Sequence, residues 1–451
     1  MTDTLSPELL ARYADARLPR YTSYPTAPHF SPDVGEAQYR FWLASLPATD
    51  ASLYLHIPFC RAMCWYCGCH TTVAAREAPV LRYLECLRQE IDLVARYAGS
   101  LLSVRHVHFG GGTPTLMPPE QMQLTMDRLK THFRIADQAE IAIEIDPRTF
   151  TPEMATTLGR SGFNRASIGV QTFDLGVQQA INRVQSFEAT EASVRLLRSN
   201  GVRAINFDLI YGLPGQTVQS CLQTVEQALV PRPDRLAVFG YAHVPSFKPH
   251  QRKIDGAALP DSEMRFAQSR AIAEALVGAG YVEIGLDHFA LPDDPLAKAS
   301  ANGRLHRNFQ GYTTDEAEVL IGLGASSIGR MPQGFVQNEV RLPEYERLVR
   351  QCRLPVARGY RFAGEDQLRA AIIERLMCDQ HVDLGAVCQG FGADPAKLLA
   401  ATPLESMIAD GLVEREGARL SVTRHARPLV RSIAAAFDAH LSENDRHSRA
   451  I

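Results

Sequence analysis

Long apolar runs are missing from this chain. Nowhere in its 451 residues does a stretch approach the roughly eighteen consecutive apolar positions that a membrane-crossing helix needs. The first thirty residues hold Arg12, Arg17 and Arg20 but no apolar segment. No secretory signal is read there, and a soluble cytoplasmic protein is expected. Charge of one sign is scarce as well. A formal net charge of −3 speaks against a general nucleic-acid or membrane-binding surface. Nine cysteines is an odd number, and in a long chain without an export signal it argues against a disulfide framework. Finally, no lysine follows the run Gly110-Gly111-Gly112-Thr113-Pro114, which excludes a phosphate-binding P-loop.

What is present is a regular alternation, in a chain long enough for two domains. Strand-like apolar runs fall at Ser52–Ile57, Val104–Phe109, Ala139–Ile145, Arg165–Val170, Ala204–Ile210 and Arg235–Tyr241. Helical patterns lie between and after them: Pro79–Tyr97, Pro119–His132, Pro152–Arg160, Phe187–Ser199, Val218–Leu229 and Asp261–Ala279. Pro119 and Pro152 suit first-turn positions, and Gly162, Gly201 and Gly280 suit helix ends. Strand–helix units in series imply a parallel α/β sheet with right-handed crossovers, either doubly wound or closed into a partial barrel. Residues 1–35 read as an irregular, proline-broken leader, 36–362 as the main domain, and 363–451 as a mostly helical tail. From Glu365 onward the tail reads as three helices, a hairpin (Leu412–Glu416 and Arg419–Thr423) and a last helix, an order that suits a winged-helix-like module. No basic helix is concentrated there, so DNA binding is not expected.

In such sheets function sits at the carboxyl ends of the strands, and here every strand ends in polar or glycine-rich sequence. Clustered cysteines follow the first and the glycine run follows the second. The third ends in Glu144 and Asp146, the fourth in Gln171, the fifth in Asp208 and Tyr211-Gly212-Leu213-Pro214, the sixth in Tyr241, Ala242 and His243. That pattern points to one large site on one face.

Its centre is HIPFCRAMCWYCGCH, residues 56–70. Cys60, Cys64 and Cys67 on one short loop can wrap a metal centre. The spacing alone leaves an iron–sulfur cluster, zinc and a redox-active Cys-x-x-Cys open. The other cysteines, Cys86, Cys221, Cys352, Cys378 and Cys388, read as small buried residues.

The Cys-x-x-x-Cys-x-Tyr-Cys spacing after a first βα strand resembles the signature of the radical S-adenosylmethionine superfamily. A closer resemblance spans nearly the whole chain. PRYTSYPT (19–26), the extended cysteine motif with Cys69, FGGGTPT (109–115), IEIDPR (143–148), GVQTF (169–173), NFDLIYGLP (206–214) and HRNFQGYTT (306–314) are together similar to the oxygen-independent coproporphyrinogen III oxidase family. Related haem-chaperone proteins typically lack both a cysteine at the position of Cys69 and the PRYTSYPT leader, so the enzyme reading is favoured. The resemblance implies a partial (β/α)6 parallel barrel. It also implies one 4Fe–4S cluster on Cys60, Cys64 and Cys67, with the fourth iron left open for S-adenosylmethionine.

Two S-adenosylmethionine molecules are implied. Tyr54, Gly111, Glu144 and Ile328 would surround the cluster-bound molecule, and Tyr66, Gly112, Thr113, Gln171, Arg183, Asp208 and Ala242 the second. Cys69 and Gln310 are implied as substrate-side groups. Read on their own residues, Tyr54 and Tyr66 equally suit core aromatics, Arg183 a helix-surface charge, and His56 a satisfied core histidine. The implied reaction is decarboxylation of two propionates of coproporphyrinogen III to vinyl groups by a 5′-deoxyadenosyl radical, giving protoporphyrinogen IX in haem synthesis. A one-electron donor and an electron acceptor must serve it; no nucleic acid or membrane insertion is involved, and a monomer is expected. Because the substrate carries four carboxylates, Arg20, Lys248, Arg252, Lys253 and Arg307 are candidate partners.

Overall fold

A computed structural model describes residues 7–13, 16–98, 102–441 and 448–449. The outermost parts of the expected leader and tail, 1–6, 442–447 and 450–451, lie outside the described residues. The six expected strands are all present: β1 (Asp50–Ile57), β2 (Ser103–Gly111), β3 (Arg134–Ile145), β4 (Arg165–Gln171), β5 (Ala204–Tyr211) and β6 (Arg235–Gly240). Helices α1 (Glu77–Ala98), α2 (Pro119–His132), α3 (Pro152–Ser161), α4 (Phe187–Ser199) and α5 (Val218–Leu229) connect them, and α6 (Ser262–Gly278) follows β6. Neighbouring strands pair in parallel all the way from β1 to β6.

Local chemistry sets the helix limits. Pro119 and Pro152 open their helices, where a missing N–H costs nothing. Thr151, Ser186, Thr217 and Asp261 each cap a helix by accepting a main-chain N–H. Gly162 ends α3 in the left-handed region at φ 93°.

The sheet is wider than six strands. Beyond β6, the short antiparallel strands β7 (Val282–Ile284) and β8 (His288–Ala290) are added. Beyond β1 come β9 (Val319–Leu323), which is parallel to it, and then β10 (Ile328–Met331), β11 (Gly334–Asn338) and β12 (Val356–Arg361), all antiparallel. The twelve-strand row ends in β7 and β12, so the sheet is open. The six expected parallel strands form a continuous run inside this wider sheet. The added strands are three to six residues long, too short for a two-residue alternation to stand out.

The leader is not wholly irregular: Pro7–Tyr13 is helical, and Ala27–His29 forms a 3₁₀ turn. The tail departs from expectation too. Four helices (Asp366–Asp379, Leu384–Phe391, Pro395–Ala401 and Glu405–Ala409) precede the hairpin Val413–Glu416/Arg419–Val422. A third strand, His381–Asp383, pairs with that hairpin, and the helix Val430–Ala435 follows.

One core fills the space between the sheet and its helices. It includes Leu53, Leu55, Ile57, Phe109, Ile143 and Phe207. A second core lies in the tail around Leu376, Leu412, Leu429 and Phe437, and Tyr13, Tyr21 and Tyr24 of the leader are part of it. Of the scattered cysteines, Cys86, Cys221, Cys378 and Cys388 are buried, whereas Cys352 is exposed, contrary to expectation.

Candidate active site

Parallel pairing puts the ends of β1 and β2 side by side, with His56 opposite Gly110 and Ile57 opposite Gly111. From there the glycine run turns under the cysteine loop. Gly112 N–H donates to Ile57 O at 2.9 Å and Thr113 N–H to Phe59 O at 2.7 Å. The approach leaves no room for a side chain: a Cβ on Gly112 would lie 2.5 Å from Phe59 O and 2.7 Å from Thr71 Oγ1. Gly111 needs its freedom for a different reason, since it sits at φ 115°.

Each loop sulfur meets hydrogen-bond donors. Thr71 Oγ1 and Thr113 Oγ1 donate to Cys60 Sγ at 3.3 and 3.5 Å. Arg148 and Arg183 each place a guanidinium nitrogen 3.6 Å from Cys64 Sγ. Cys69 N–H donates to Cys67 Sγ at 3.4 Å. Hydrogen bonding from the Cys69 thiol, which outweighs burial, pushes Cys67 down to about 6; burial pushes Cys60 up against the two threonines. Cys69 itself is exposed.

Around the loop stand the polar strand ends. Glu144 accepts from Gly111 N–H at 3.0 Å and lies 3.3 Å from His108 Nε2. Burial pushes its carboxyl up, but His108 and the Gly111 amide more than offset this and hold it below its ordinary value. Asp208 accepts from Ser167 Oγ and from Asn206 Nδ2, both at 2.9 Å, yet burial raises it to about 6. Gln171 is buried and adopts φ 67°. Arg183 is buried rather than on a helix surface, donating to Gly169 O at 2.6 Å and to Asp146 Oδ2 at 3.3 Å. Burial disfavours its charge, while Tyr66, Asp146 and Cys64 favour it and prevail.

Tyr54 stacks on His108, with ring centroids 5.9 Å apart, and its hydroxyl meets His56 Nδ1 at 3.0 Å. The other His56 nitrogen meets His70 O at 2.9 Å, so this histidine is buried and satisfied, and burial lowers it to about 4. Gln251 Nε2 ties the loop to the sixth strand end, donating to Tyr66 O at 3.0 Å and Ala242 O at 3.2 Å. His250 meets Cys67 O at 2.7 Å and Lys248 donates to Cys69 O at 3.1 Å. Ile328 begins β10, close to the glycine-rich end of β9. Thr71, His108, Arg148, His250 and Gln251 escaped the residue-level reading, although Arg148 lies inside one of the quoted motifs.

Two family models match the chain: the radical SAM superfamily over residues 54–228 and the HemN C-terminal domain over 362–429. The oxygen-independent coproporphyrinogen III oxidase of Bradyrhizobium diazoefficiens is 56% identical over 447 residues, covering 98% of this chain and 99% of that relative. The enzyme of the same name from Paracoccus denitrificans is 44% identical over 439 residues, 97% of each chain. The solved coproporphyrinogen III oxidase of Escherichia coli, described as a radical SAM enzyme, is 37% identical, with a TM-score of 0.90 over 97% of this chain and 99% of that one. The chain belongs to the oxygen-independent coproporphyrinogen III oxidase family.

Radical SAM enzymes of this family are oxidoreductases that use a 4Fe–4S cluster and S-adenosylmethionine. The donor set of this chain fits both: three soft thiols on one loop, hydrogen bonds arriving at every one of their sulfurs, and a glycine cradle beside an ionised carboxylate. No helix among the described residues is long and apolar enough to cross a membrane.

Next to the ends of β5 and β6 lies a cavity of about 900 Å³. Of the candidate cations, Arg20 and Arg307 line it. Lys248, Arg252 and Lys253 do not, and Lys253 instead stands 5.6 Å over the Trp65 ring. Gln310 occupies the turn of the hairpin His306–Asn308/Gly311–Thr313, the same hairpin that carries Arg307.

Proposed function

We propose that the chain performs anaerobic oxidative decarboxylation of two propionate groups of coproporphyrinogen III, giving the two vinyl groups of protoporphyrinogen IX in haem biosynthesis. The single observation that carries this reading is the cysteine loop, seated on the ends of β1 and β2 with hydrogen-bond donors at each sulfur and tied through Gln251 to Ala242, which lines a large arginine-rich cavity. When bound, the cluster and S-adenosylmethionine supply the single-electron chemistry that removes a hydrogen atom from an unactivated methylene.

The rest falls to the protein. Cys60, Cys64 and Cys67 hold the one 4Fe–4S cluster. Tyr54, Gly111, Glu144 and Ile328 surround one S-adenosylmethionine, and the ionised Glu144 carboxylate accepts from an ammonium group. Tyr66, Gly112, Thr113, Gln171, Arg183, Asp208 and Ala242 surround a second, where the short contacts at the glycine run keep side chains out of the way. Cys69 and Gln310 act on the substrate side. The leader 1–35 and the tail 363–451 cover the main domain 36–362 of a cytoplasmic monomer, which draws electrons from one partner and passes them to another. A reactive carbon centre needs the exclusion of other groups that a closed strand-end site provides.

The test is an anaerobic assay of the reconstituted protein with coproporphyrinogen III, S-adenosylmethionine and a strong reductant. Protoporphyrinogen IX and 5′-deoxyadenosine are expected together. Absence of both from protein with an intact cluster overturns the reading.

A further inference from the structure

The 900 Å³ cavity is near the upper end of the range for ligand sites, about 300–1,000 Å³, and its charge is lopsided. Eight arginines and four carboxylates line it, an excess of four positive charges. Two of the carboxylates are already engaged: Glu274 pairs with Arg270 at 2.8 Å and Glu283 with Arg427 at 3.2 Å. A third, Asp287, is bound to His288 at 2.7 Å.

Three arginines reach this place from segments far apart in sequence: Arg20 from the leader, Arg307 from the hairpin and Arg431 from the last helix. Their roles differ. Arg431 is buried and donates to the carbonyls of Leu18 and Pro19, so it fixes the leader segment that carries Arg20. Arg20 stays exposed to the cavity, and its Nη2 donates to Gly240 O at 3.2 Å. Arg307 lies with its guanidinium 4.4 Å over the Tyr312 ring and its Nη2 donates to Arg20 O at 3.4 Å, whereas its Nε and Nη1 are buried with no hydrogen-bond partner among the described residues. Unpartnered, buried guanidinium nitrogens are costly, and their natural complement is a carboxylate. Burial, and then the neighbouring Arg20 and Arg307, push Arg431 down to about 9, while Tyr312 and Asp287 outweigh burial and hold Arg307 above its ordinary value.

We propose that Arg307 and Arg20 are the anion seat of the cavity, binding propionate carboxylates of the substrate, with Arg431 as the positioning residue that holds Arg20 in place through the leader. The inference rests on the reading that the substrate is a tetracarboxylate, whose four negative charges match the cavity's excess.

The test uses the holoenzyme under anaerobic conditions with two measurements. The first is the KM and kcat for coproporphyrinogen III. The second is equilibrium binding of coproporphyrin III, the unreactive oxidised form with the same four propionates, compared with mesoporphyrin IX, which has two. Arg307→Gln and Arg20→Gln are each expected to raise KM and the coproporphyrin III Kd about ten- to hundredfold. The cluster absorption should be unchanged and kcat much less affected. Arg307→Lys should recover part of the affinity, and the penalty should be smaller for mesoporphyrin IX. Arg20→Gln alters an exposed side chain, so it decides the matter if Arg307→Gln does not fold. Unchanged KM and Kd in an active, folded Arg20→Gln protein, or in Arg307→Gln, overturn the assignment for that residue. A wild-type protein that binds coproporphyrin III through these arginines without turning over coproporphyrinogen III overturns the reaction while leaving the anion seat standing.

Discussion

Gly112→Ala is a small change with a large expected effect. Gly112 has ordinary backbone angles, so the cost is steric. The new methyl would sit 2.5 Å from the Phe59 carbonyl oxygen, which is main chain and cannot rotate aside. Relief requires the end of β2 to part from the cysteine loop. The hydrogen bonds Gly112 N–H to Ile57 O (2.9 Å) and Thr113 N–H to Phe59 O (2.7 Å) are then lost. At about 1 kcal/mol for each, plus about 1–3 kcal/mol for overpacking, the loss is about 3–5 kcal/mol, a large part of a domain's stability. Moving Thr113 also withdraws its hydroxyl from Cys60 Sγ, so cluster retention should fall as well. The assay is iron and sulfide content after anaerobic reconstitution, alongside a urea unfolding midpoint. Gly390→Ala is the control: it lies in a helix with nothing within 4 Å of the added methyl, and should stabilise by up to about 1 kcal/mol. A Gly112→Ala protein with the wild-type midpoint and full iron would refute the claim that this contact holds the loop.

Three further outcomes are expected. Cys64→Ser should abolish the cluster, read as iron content and visible absorption, while Cys69→Ser retains it; equal loss in both would remove Cys69 from its place outside the ligand set. Arg183→Gln takes away a buried partner of Asp146, which then keeps only Arg148 at 2.6 Å; about 3–5 kcal/mol should be lost in urea unfolding, against less than about 1 kcal/mol for Arg105→Gln at the exposed pair with Asp50. Glu90, buried and hydrogen-bonded by Tyr345, Asn338 and the Gly324 amide, is raised by burial from 4.5 to about 7. Between those values the folded chain holds a proton that the unfolded chain has released. This contribution is therefore full below pH ~4.5 and is lost as pH rises to ~7, by up to about 3 kcal/mol. Glu90→Gln should flatten that part of the pH–stability curve, and an unchanged slope would contradict the assignment.

The parallel strands were readable because each is rich in apolar residues and ends abruptly in polar or glycine-rich sequence, as Val104–Phe109 does before its glycines. Six consecutive endings on one face then brought Glu144, Gln171 and Asp208 into view before any coordinates, whereas Ala242 rested on the family resemblance alone. β7 to β12 were not readable, because strands such as Val282–Ile284 and Ile328–Met331 are too short to show a period. Nor were Thr71, His108 and Gln251, which have nothing unusual in their local sequence and take their roles only from tertiary approach. Arg183 shows the reverse. On a helical pattern it suits a surface charge, yet the chain turns it inward, where Asp146 and the Cys64 sulfur stabilise its charge. The cavity was the least legible part, since Arg20, Arg307 and Arg431 are brought together from three remote stretches.

That remoteness has a consequence for the order of assembly. Arg431 bonds to the Pro19 carbonyl across 412 positions of sequence, and Tyr24 accepts the Ala439 amide on its hydroxyl across 415. During synthesis the leader emerges first, yet its contacts with the tail cannot form until almost the whole chain has left the ribosome. The βα core and its cysteine loop precede that moment by roughly two hundred residues or more, a delay of about ten seconds or longer at about 5–20 residues per second. A nascent chain thus presents its cysteine loop while the arginine wall is still unbuilt. On the function proposed above, the order in which the polypeptide is made places the cluster ligands before the anion seat.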